Sequence, residues 1–267
     1  MDKNREIDLI NQSSRSVPAL RIRGLHFSYN SNRRVLNNIN LTVKQGDKIG
    51  LIGPNGAGKT TLFMLACGVL KPGDGEIELF GKPLQSGQFN PEIGMVFQNA
   101  DDQLFSPIVS DDVAFGPQNL GLSTNEVNER VASALKITDT NELAERVPHH
   151  LSGGEKRMVS IAGILAMEPR LIVYDEPSAS LDMRSRRRLI NYLQNSAGTS
   201  MISSHDLELI LETCSRVILL DDGDVIADGL PGKVMADVEL MQSHGLERPH
   251  SLTHHDNPHH QFLTETR

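Results

Sequence analysis

A glycine-rich run that could bind phosphate marks the first half of the sequence. Residues 53–60 read GPNGAGKT, fit the pattern G-x-x-x-x-G-K-[ST], and directly follow the apolar run at 49–52. The three glycines let the backbone curl so that its N–H groups point at phosphate oxygens, and a following helix adds partial positive charge. Lys59 is therefore predicted to reach the β and γ phosphates of a nucleotide, and the Thr60 hydroxyl to ligate Mg²⁺.

Two adjacent carboxylates form a second candidate site. Asp175 and Glu176 end the apolar run LIVY at residues 171–174. At the carboxyl edge of a parallel sheet an Asp can support a magnesium ion, and the next carboxylate can face the γ-phosphate. Asp175 is predicted to support the metal and Glu176 to polarise the attacking water. The purely structural alternative is a charged end to a strand.

Alternating strands and helices must position these residues. Residues 20–22 and 39–43 alternate as antiparallel strands with one buried face, whereas the continuous apolar run at 49–52 suits the centre of a parallel sheet. A helix is expected from residue 59 to about 70. Further strands are predicted at 76–79, 94–97, 171–174, 200–203 and 216–220, with a hairpin turn at 222–223.

The chain divides into three predicted parts. Residues 1–18 are polar and are interpreted as a mobile arm, residues 19–236 as the folded domain, and residues 237–267 as a polar, His-rich tail. Between residues 99 and 167 no strand pattern occurs, so this stretch is predicted to be a helical subdomain inserted in the α/β body. Ser123 and Glu126 form a capping-box start for one of its helices.

Whole-chain composition limits the classes of function. The 267 residues carry a net charge of −8 at a pI near 5.7, so nucleic acid is not an expected partner. Cys67 and Cys214 are far apart in the sequence and are predicted to be buried reduced thiols. No apolar run reaches the length of a signal peptide core or a membrane span. Any contact with a membrane is therefore expected to go through another chain.

Residues 151–155, LSGGE, resemble the signature loop of the ABC ATPase family. Glycine again permits close backbone approach, and Ser152 with the amides of Gly153 and Gly154 offers donors at a helix start. The resemblance implies that these donors face the γ-phosphate held by an opposite subunit. It therefore implies a head-to-tail dimer, with two ATP molecules at the interface and either a second copy or a paralogue as partner.

Other family landmarks follow in order, and the resemblance covers residues 19 to about 230. It implies that Tyr29 stacks on adenine, that Gln98 joins the two lobes, that Asp182 follows in the SLD run at 180–182, and that His205 contacts the γ-phosphate. The expected ATP contacts are Tyr29, Gly53, Pro54, Asn55, Gly56, Ala57, Gly58, Lys59, Thr60, Thr61, Gln98, Ser152, Gly153, Gly154 and Asp182. The expected catalytic residues are Lys59, Glu176 and His205. The expected Mg²⁺ ligands are Thr60, Gln98 and Asp175.

The resemblance also fixes the expected fold class. It implies an α/β P-loop NTPase (RecA-like) mixed sheet, with an antiparallel β lobe and an inserted α-helical subdomain. The departures from the family pattern are small: Glu155 replaces the commoner Gln, and Ser178 and Ser180 replace a more usual Thr and Gly. These changes keep the backbone contacts and leave the hydrolysis rate open.

Residues 99–105 and 112–117 resemble the ATPases of energy-coupling-factor transporters, in particular the cobalt/nickel type. This resemblance implies an ATPase that energises an importer from the cytoplasmic face of the cell membrane. It also implies a transmembrane coupling subunit as partner. The apolar groups expected to form the groove for that subunit are Leu104, Phe105, Val113 and Phe115.

Three other functions remain open from the sequence. An importer ATPase for another cargo, such as a vitamin, has the same features, because membrane partners choose the substrate. A mechanical ABC ATPase acting on DNA or ribosomes is disfavoured by the negative charge and the lack of long coiled coils. A small-molecule P-loop kinase leaves LSGGE unexplained.

Histidines concentrate near the C-terminus. Imidazoles bind Ni²⁺ and Co²⁺, so this segment is consistent either with weak metal buffering or with a polar tail of no metal function. The histidines concerned are His244, His250, His254, His255, His259 and His260.

Overall fold

The structure is a computed structural model that describes residues 17–29 and 34–253. Residues 1–16 of the predicted arm at 1–18, and the histidines at 254, 255, 259 and 260, lie outside the described residues.

Within the described residues, strands lie before residue 97 and after residue 170, as the sequence pattern predicts. They are β1 (Leu20–Ser28), β2 (Arg34–Val43), β3 (Lys48–Ile52), β4 (Asp74–Leu79), β5 (Lys82–Pro83), β6 (Ile93–Val96), β7 (Leu171–Asp175), β8 (Thr199–Ser203), β9 (Arg216–Asp221) and β10 (Asp224–Gly229).

The first α-helix of the described residues follows β3, and the others lie between β6 and β7 and after β7. The helices are α1 (Lys59–Ala66), α2 (Val109–Asn119), α3 (Thr124–Ile137), α4 (Gly153–Leu165), α5 (Met183–Asn195), α6 (Leu207–Thr213), α7 (Pro231–Val234) and α8 (Val238–Ser243). Helix α1 ends before the predicted residue 70, and Gly68 follows it with a φ of 73°. None of these helices combines the length and the apolar character needed to cross a bilayer.

Two sheets carry the predicted α/β architecture. The first is an antiparallel lobe with the strand order β2-β1-β4-β5, and the second has the order β10-β9-β3-β8-β7-β6. In the second sheet β3 pairs in parallel with both β8 and β9, and only β10 runs antiparallel. Ile49 and Leu51 of β3 are fully buried, as expected for a central strand. The predicted mixed sheet with an antiparallel lobe is confirmed.

Helices α2, α3 and α4 form a subdomain with its own apolar core. Its buried residues include Val113, Leu135 and Val159. Ser123 and Glu126 make the predicted capping box: the Ser123 Oγ accepts from the Glu126 N–H, and the Glu126 side chain accepts from the Ser123 N–H. Since this subdomain follows β6 and precedes β7, it connects neighbouring strands of the large sheet.

The chain after residue 237 is more ordered than its composition indicates. Helix α8 buries Met241 completely, and Leu252 packs against the same core. His244 Nδ1 lies 2.7 Å from Asp221 Oδ2, so this histidine has a structural partner at the end of β9. Helix α8 has only six residues, which is too few for a helical periodicity to stand out in the sequence, so the pattern fades before the packing ends.

Both cysteines of the chain are free thiols in the described residues. Burial raises the pKa of Cys67 to about 12 and that of Cys214 to about 11, so both remain protonated at neutral pH. The predicted reduced thiols are therefore confirmed, although Cys67 is only partly buried.

Candidate active site

The glycine-rich loop joins β3 to α1 in a conformation that only glycine allows at two positions. Gly53 has a φ of 150°, and a Cβ there would lie 1.9 Å from the Leu220 carbonyl oxygen. Gly58 has a φ of 103°, and its Cβ would lie 2.7 Å from Leu36 Cδ2 and 3.0 Å from the Val35 oxygen. The loop is thus pressed against the neighbouring backbone, and the first turn of α1 is left open to an anion.

Lys59 is buried at the base of this loop. Its Nζ donates to the carbonyl oxygens of Gly53 at 2.8 Å and Pro54 at 3.1 Å, and lies 3.5 Å from His205 Nε2. Burial lowers the pKa of Lys59, while Glu176 and Asp175 oppose that shift. The fold therefore holds a partly desolvated cation where a phosphate could replace the two carbonyl acceptors.

Thr60 and Asp175 bring two hard oxygen atoms together, as predicted from the sequence. The Thr60 hydroxyl donates to Asp175 Oδ2 at 2.8 Å, and the Ser203 hydroxyl donates to Asp175 Oδ1 at 2.7 Å. Proteins bind Mg²⁺ through one or two such oxygen ligands together with water and substrate phosphates. The donor set therefore fits Mg²⁺.

Glu176 is held in a strained and buried position next to His205. Its φ is 47°, and its N–H donates to the Ser203 hydroxyl at 2.9 Å. One carboxylate oxygen, Oε2, accepts from the His205 N–H at 3.0 Å. The other, Oε1, lies 3.4 Å from His205 Nε2 and has no hydrogen-bond partner among the described residues. A buried unpaired carboxylate oxygen is costly, and it is available to a water molecule.

Lys59, Thr60 and Glu176 line a cavity of about 490 Å³, whereas Asp175, which is bonded to Thr60, is not among its lining residues. Tyr29 forms one side with its ring more than half exposed, its hydroxyl 3.1 Å from Thr61 Oγ1 and its ring edge-on to Phe27 at 4.9 Å. Gln98 also lines the cavity. The lining residues are Tyr29, Val35, Asn55, Gly56, Ala57, Gly58, Lys59, Thr60, Thr61, Gln98, Glu176 and His205.

The LSGGE loop lies elsewhere, at the start of α4. The Ser152 Oγ accepts from the Glu155 N–H at 3.3 Å, and the Glu155 carboxylate accepts from the Ser152 N–H at 2.8 Å and from its hydroxyl at 2.7 Å. These hydrogen bonds lower the pKa of Glu155. The charged carboxylate found here in place of the commoner Gln thus completes a capping box at the helix dipole's positive end.

Asp182 caps the neighbouring helix α5. Its carboxylate accepts from the Ser185 N–H at 2.7 Å, and these contacts with Ser185 lower the Asp182 pKa. A Cβ on Gly154 would lie 2.1 Å from Ser185 Oγ, so the starts of α4 and α5 are in direct contact. Ser152, Gly153, Gly154 and Asp182 are absent from the residues that line the cavity. One chain therefore separates the two groups of predicted site residues.

Two residues at this site have no signal in the sequence. Ser203 ends the apolar strand β8 and bonds to both Asp175 and Glu176. Arg157 in α4 is almost fully buried and donates to the carbonyl oxygens of Phe97 and Gln98. Burial lowers the Arg157 pKa to about 10, although Asp175 opposes this shift, so the side chain is charged at neutral pH. Only strand order and helix packing reveal these two roles.

A family model described as ABC transporter matches residues 36–179. The chain belongs to the ABC transporter family. A putative ABC transporter ATP-binding protein of Synechocystis is 53% identical over 94% of this chain and 88% of its own length. The energy-coupling factor transporter ATP-binding protein EcfA of Methanothermobacter thermautotrophicus is 44% identical over 86% of this chain and 76% of its own length.

A solved structure confirms the fold of this ABC family member. The structure of cbiO1 from Clostridium perfringens, described as part of the ABC transporter complex cbiONQ, is 35% identical to the chain. It covers 85% of this chain and 94% of its own, with a TM-score of 0.77. The predicted resemblance to ABC transporter ATP-binding subunits, including those of the energy-coupling-factor type, is therefore confirmed. As such a subunit, this ABC ATPase binds and hydrolyses ATP.

Substitution of Ser203 by Ala tests the support under Asp175. We expect ATPase activity to fall about tenfold at low Mg²⁺ and to recover partly at high Mg²⁺, because outer contacts of this kind tune metal affinity. The Glu176 N–H keeps the Ser203 carbonyl at 3.1 Å as an acceptor, so the loss is confined to Asp175. The measurement is ATPase rate against Mg²⁺ concentration.

The matched control for this variant is Ser200→Ala. Ser200 is a buried serine on the same strand, near its other end. It should leave the Mg²⁺ dependence unchanged. Equal Mg²⁺ dependence in the Ser203 variant and the wild type would contradict the assigned role.

Proposed function

We propose that the chain is the ATP-hydrolysing subunit of an energy-coupling-factor importer, with cobalt or nickel ions as cargo. The observation that carries the ATP-sandwich part of this proposal is the division of the site within one chain. Lys59 and Glu176 line one cavity, whereas Ser152 and Asp182 lie outside it. Two chains facing head to tail would complete each site, and the second chain is either another copy or a paralogue.

The residues in and beside the cavity each bind a different part of the nucleotide. Tyr29 stacks on adenine, and Lys59 with the amides of the glycine-rich loop holds the β and γ phosphates. Thr60, Asp175 and Gln98 would hold Mg²⁺, which would neutralise charge on the phosphates when bound. From the partner chain, Ser152, Gly153 and Gly154 donate to the γ-phosphate, and Asp182 lies beside them.

Glu176 and His205 act at the γ-phosphate itself. The unpaired Glu176 Oε1 orients and polarises a water molecule for attack, and the Glu176 backbone is fixed by Ser203. His205 Nε2, 3.5 Å from Lys59 Nζ, adds a donor on the same side of the cavity. Hydrolysis weakens a contact that both chains share through the γ-phosphate, so nucleotide state opens and closes the dimer.

A second cavity, on the helical subdomain, is proposed to receive the coupling helix of a transmembrane subunit. It has a volume of about 510 Å³, and the exposed rings of Phe105 and Phe115 meet edge-to-face at 4.8 Å on its rim. Leu104 also lines it. Val113, which the family resemblance places in this groove, is instead fully buried in the subdomain core, because positions two apart on a helix, such as 113 and 115, point to different sides. Membrane contact at the cytoplasmic face then runs through this partner alone.

The cargo is inferred from the resemblance of residues 99–105 and 112–117 to the cobalt/nickel type of energy-coupling-factor ATPase. Similarity to cbiO1, described as part of the ABC transporter complex cbiONQ, and to the energy-coupling factor proteins named EcfA supports the class of transporter. The test is purification of the native complex through a tag on this chain, followed by uptake of labelled Ni²⁺ and Co²⁺ into vesicles that contain it. ATP-dependent accumulation supports the proposal. Accumulation of a vitamin but of neither metal would replace the cargo assignment with the runner-up.

Substitution of Phe115 by Asp tests the docking cavity. A buried aromatic anchor contributes about 2 kcal/mol or more to an interface, so we expect about 30-fold weaker assembly with the membrane subunit. ATP binding by the isolated chain should be unchanged. Ile137→Asp is the matched control, because Ile137 is similarly exposed, at 56% against 49% for Phe115, but lies outside the cavity. Co-purification with the membrane subunit measures both, and equal losses would argue against this cavity.

A further inference from the structure

We infer that Arg157 is a positioning residue that sets the orientation of Gln98 at the nucleotide cavity. The inference rests on the proposed function, in which Gln98 is a Mg²⁺ ligand. It assigns a role to a residue that is not among those lining the nucleotide cavity.

The geometry fixes two consecutive peptide groups. The Arg157 Nη1 donates to the Phe97 carbonyl and its Nη2 to the Gln98 carbonyl. A planar guanidinium that binds two successive carbonyls restricts the backbone rotation between them. Because Gln98 carries one of these two carbonyls and also lines the cavity, the direction of its side chain depends on that restriction.

Arg157 is expensive to bury, and this points to a role in positioning rather than stability. It is only 3% exposed, and its Nε has no hydrogen-bond partner among the described residues. Its charge is compensated at a distance by Asp175 and not by a bonded carboxylate. A buried ion without a direct counter-ion is often less stabilising than an apolar side chain of similar volume.

Other contacts hold the same segment on α4 without Arg157. Gln103 Nε2 donates to the Ser160 carbonyl at 2.8 Å, and Gln103 Oε1 accepts from the Phe97 N–H at 3.3 Å. Lys156 Nζ lies 2.6 Å from Asp101 Oδ1. Substitution of Arg157 should therefore leave the segment docked on α4 and release only the peptide groups at residues 97 and 98.

The test compares ATP binding with and without Mg²⁺, by calorimetry on the full chain. Arg157→Lys keeps the charge but loses the paired donors. We expect it to reduce the Mg²⁺-dependent gain in ATP affinity about tenfold and to leave metal-free ATP affinity unchanged. Arg157→Gln, which has no charge, should give at least the same loss. Hydrogen exchange in the ligand-free protein should show faster exchange in residues 97–99.

Arg130→Lys is the matched control. Arg130 also donates to a backbone carbonyl, that of Met167 at 3.3 Å, but in the helical subdomain. It should match the wild type in both affinities.

A double-mutant cycle with Gln98→Ala decides whether Arg157 acts through Gln98. Arg157→Lys should cause no further loss of the Mg²⁺-dependent gain once Gln98 is Ala. Full additivity, or wild-type behaviour of both Arg157 variants, would overturn the inference. If both Arg157 variants also lose metal-free ATP affinity, Arg157 is a structural residue and the inference fails. If the wild type binds ATP no better with Mg²⁺, or Gln98→Ala has no effect, the proposed metal site fails instead.

Discussion

Replacement of Glu176 by Gln is expected to lower ATP hydrolysis at least about 100-fold in the assembled complex, with ATP binding retained. The amide keeps the shape of the side chain and can still accept from the His205 N–H, now 3.0 Å from Oε2. It cannot polarise water as a carboxylate does. Because ATP then persists at the shared interface, the variant should accumulate as an ATP-bound dimer.

Two measurements check this expectation: phosphate release, and the mass of the particle by light scattering in ATP. Glu92→Gln is the matched control. Glu92 forms an ion pair with Arg170 at 2.7 Å, and neither residue lines the cavity. The control should hydrolyse ATP at the wild-type rate. Wild-type hydrolysis by the Glu176 variant would remove that residue from the reaction.

Replacement of Lys59 by Met is expected to weaken ATP binding about 100-fold while leaving the melting temperature unchanged or higher. A charge-assisted contact to phosphate is worth about 1.5–3 kcal/mol. The folded-state pKa of Lys59 is lowered by burial, so the folded chain binds this proton less tightly than the unfolded chain does. Protonated Lys59 therefore lowers the free energy of unfolding at neutral pH. This destabilisation disappears as the pH rises through the folded-state pKa towards the ordinary lysine pKa of 10.5.

Lys48→Met is a control for which the opposite pair of effects is expected. Lys48 Nζ donates to the Leu193 and Gln194 carbonyls, at 2.6 and 2.9 Å, at the end of α5. Its loss should lower the melting temperature and leave ATP affinity intact. Thermal unfolding and calorimetry separate the two lysines. Unchanged ATP affinity in the Lys59 variant would contradict its role at the phosphates.

The parts of the site that the sequence predicts are those whose residues are close together in the chain. The glycine-rich loop lies between an apolar strand and a helix, so its residues and their neighbours are set by about ten consecutive positions. Asp175 and Glu176 are likewise placed by one strand, and a parallel sheet brings that strand's end to the edge where the loop lies. Short-range patterns are therefore enough to predict that Thr60 and Asp175 lie close together, and their side chains are 2.8 Å apart.

The remainder depends on packing between distant segments. Ser203 and Arg157 occupy an ordinary strand and an ordinary helix, and their partners are 27 to 60 positions away. The family resemblance places Val113 in the groove, but the packing of α2 against α3 and α4 buries it. The packing of the C-terminal segment also has no signal in the sequence, since a single buried residue such as Met241 has no periodicity.

The contact between Gly154 and Ser185 couples two loops that are distant in sequence. A methyl group at position 154 would lie 2.1 Å from the Ser185 hydroxyl, so the first turns of α4 and α5 interlock without any spare volume. The residues around Ser152 and Asp182 therefore form one continuous facet. A neighbouring molecule would contact that facet as one rigid surface. A shift of either helix start would move the other with it.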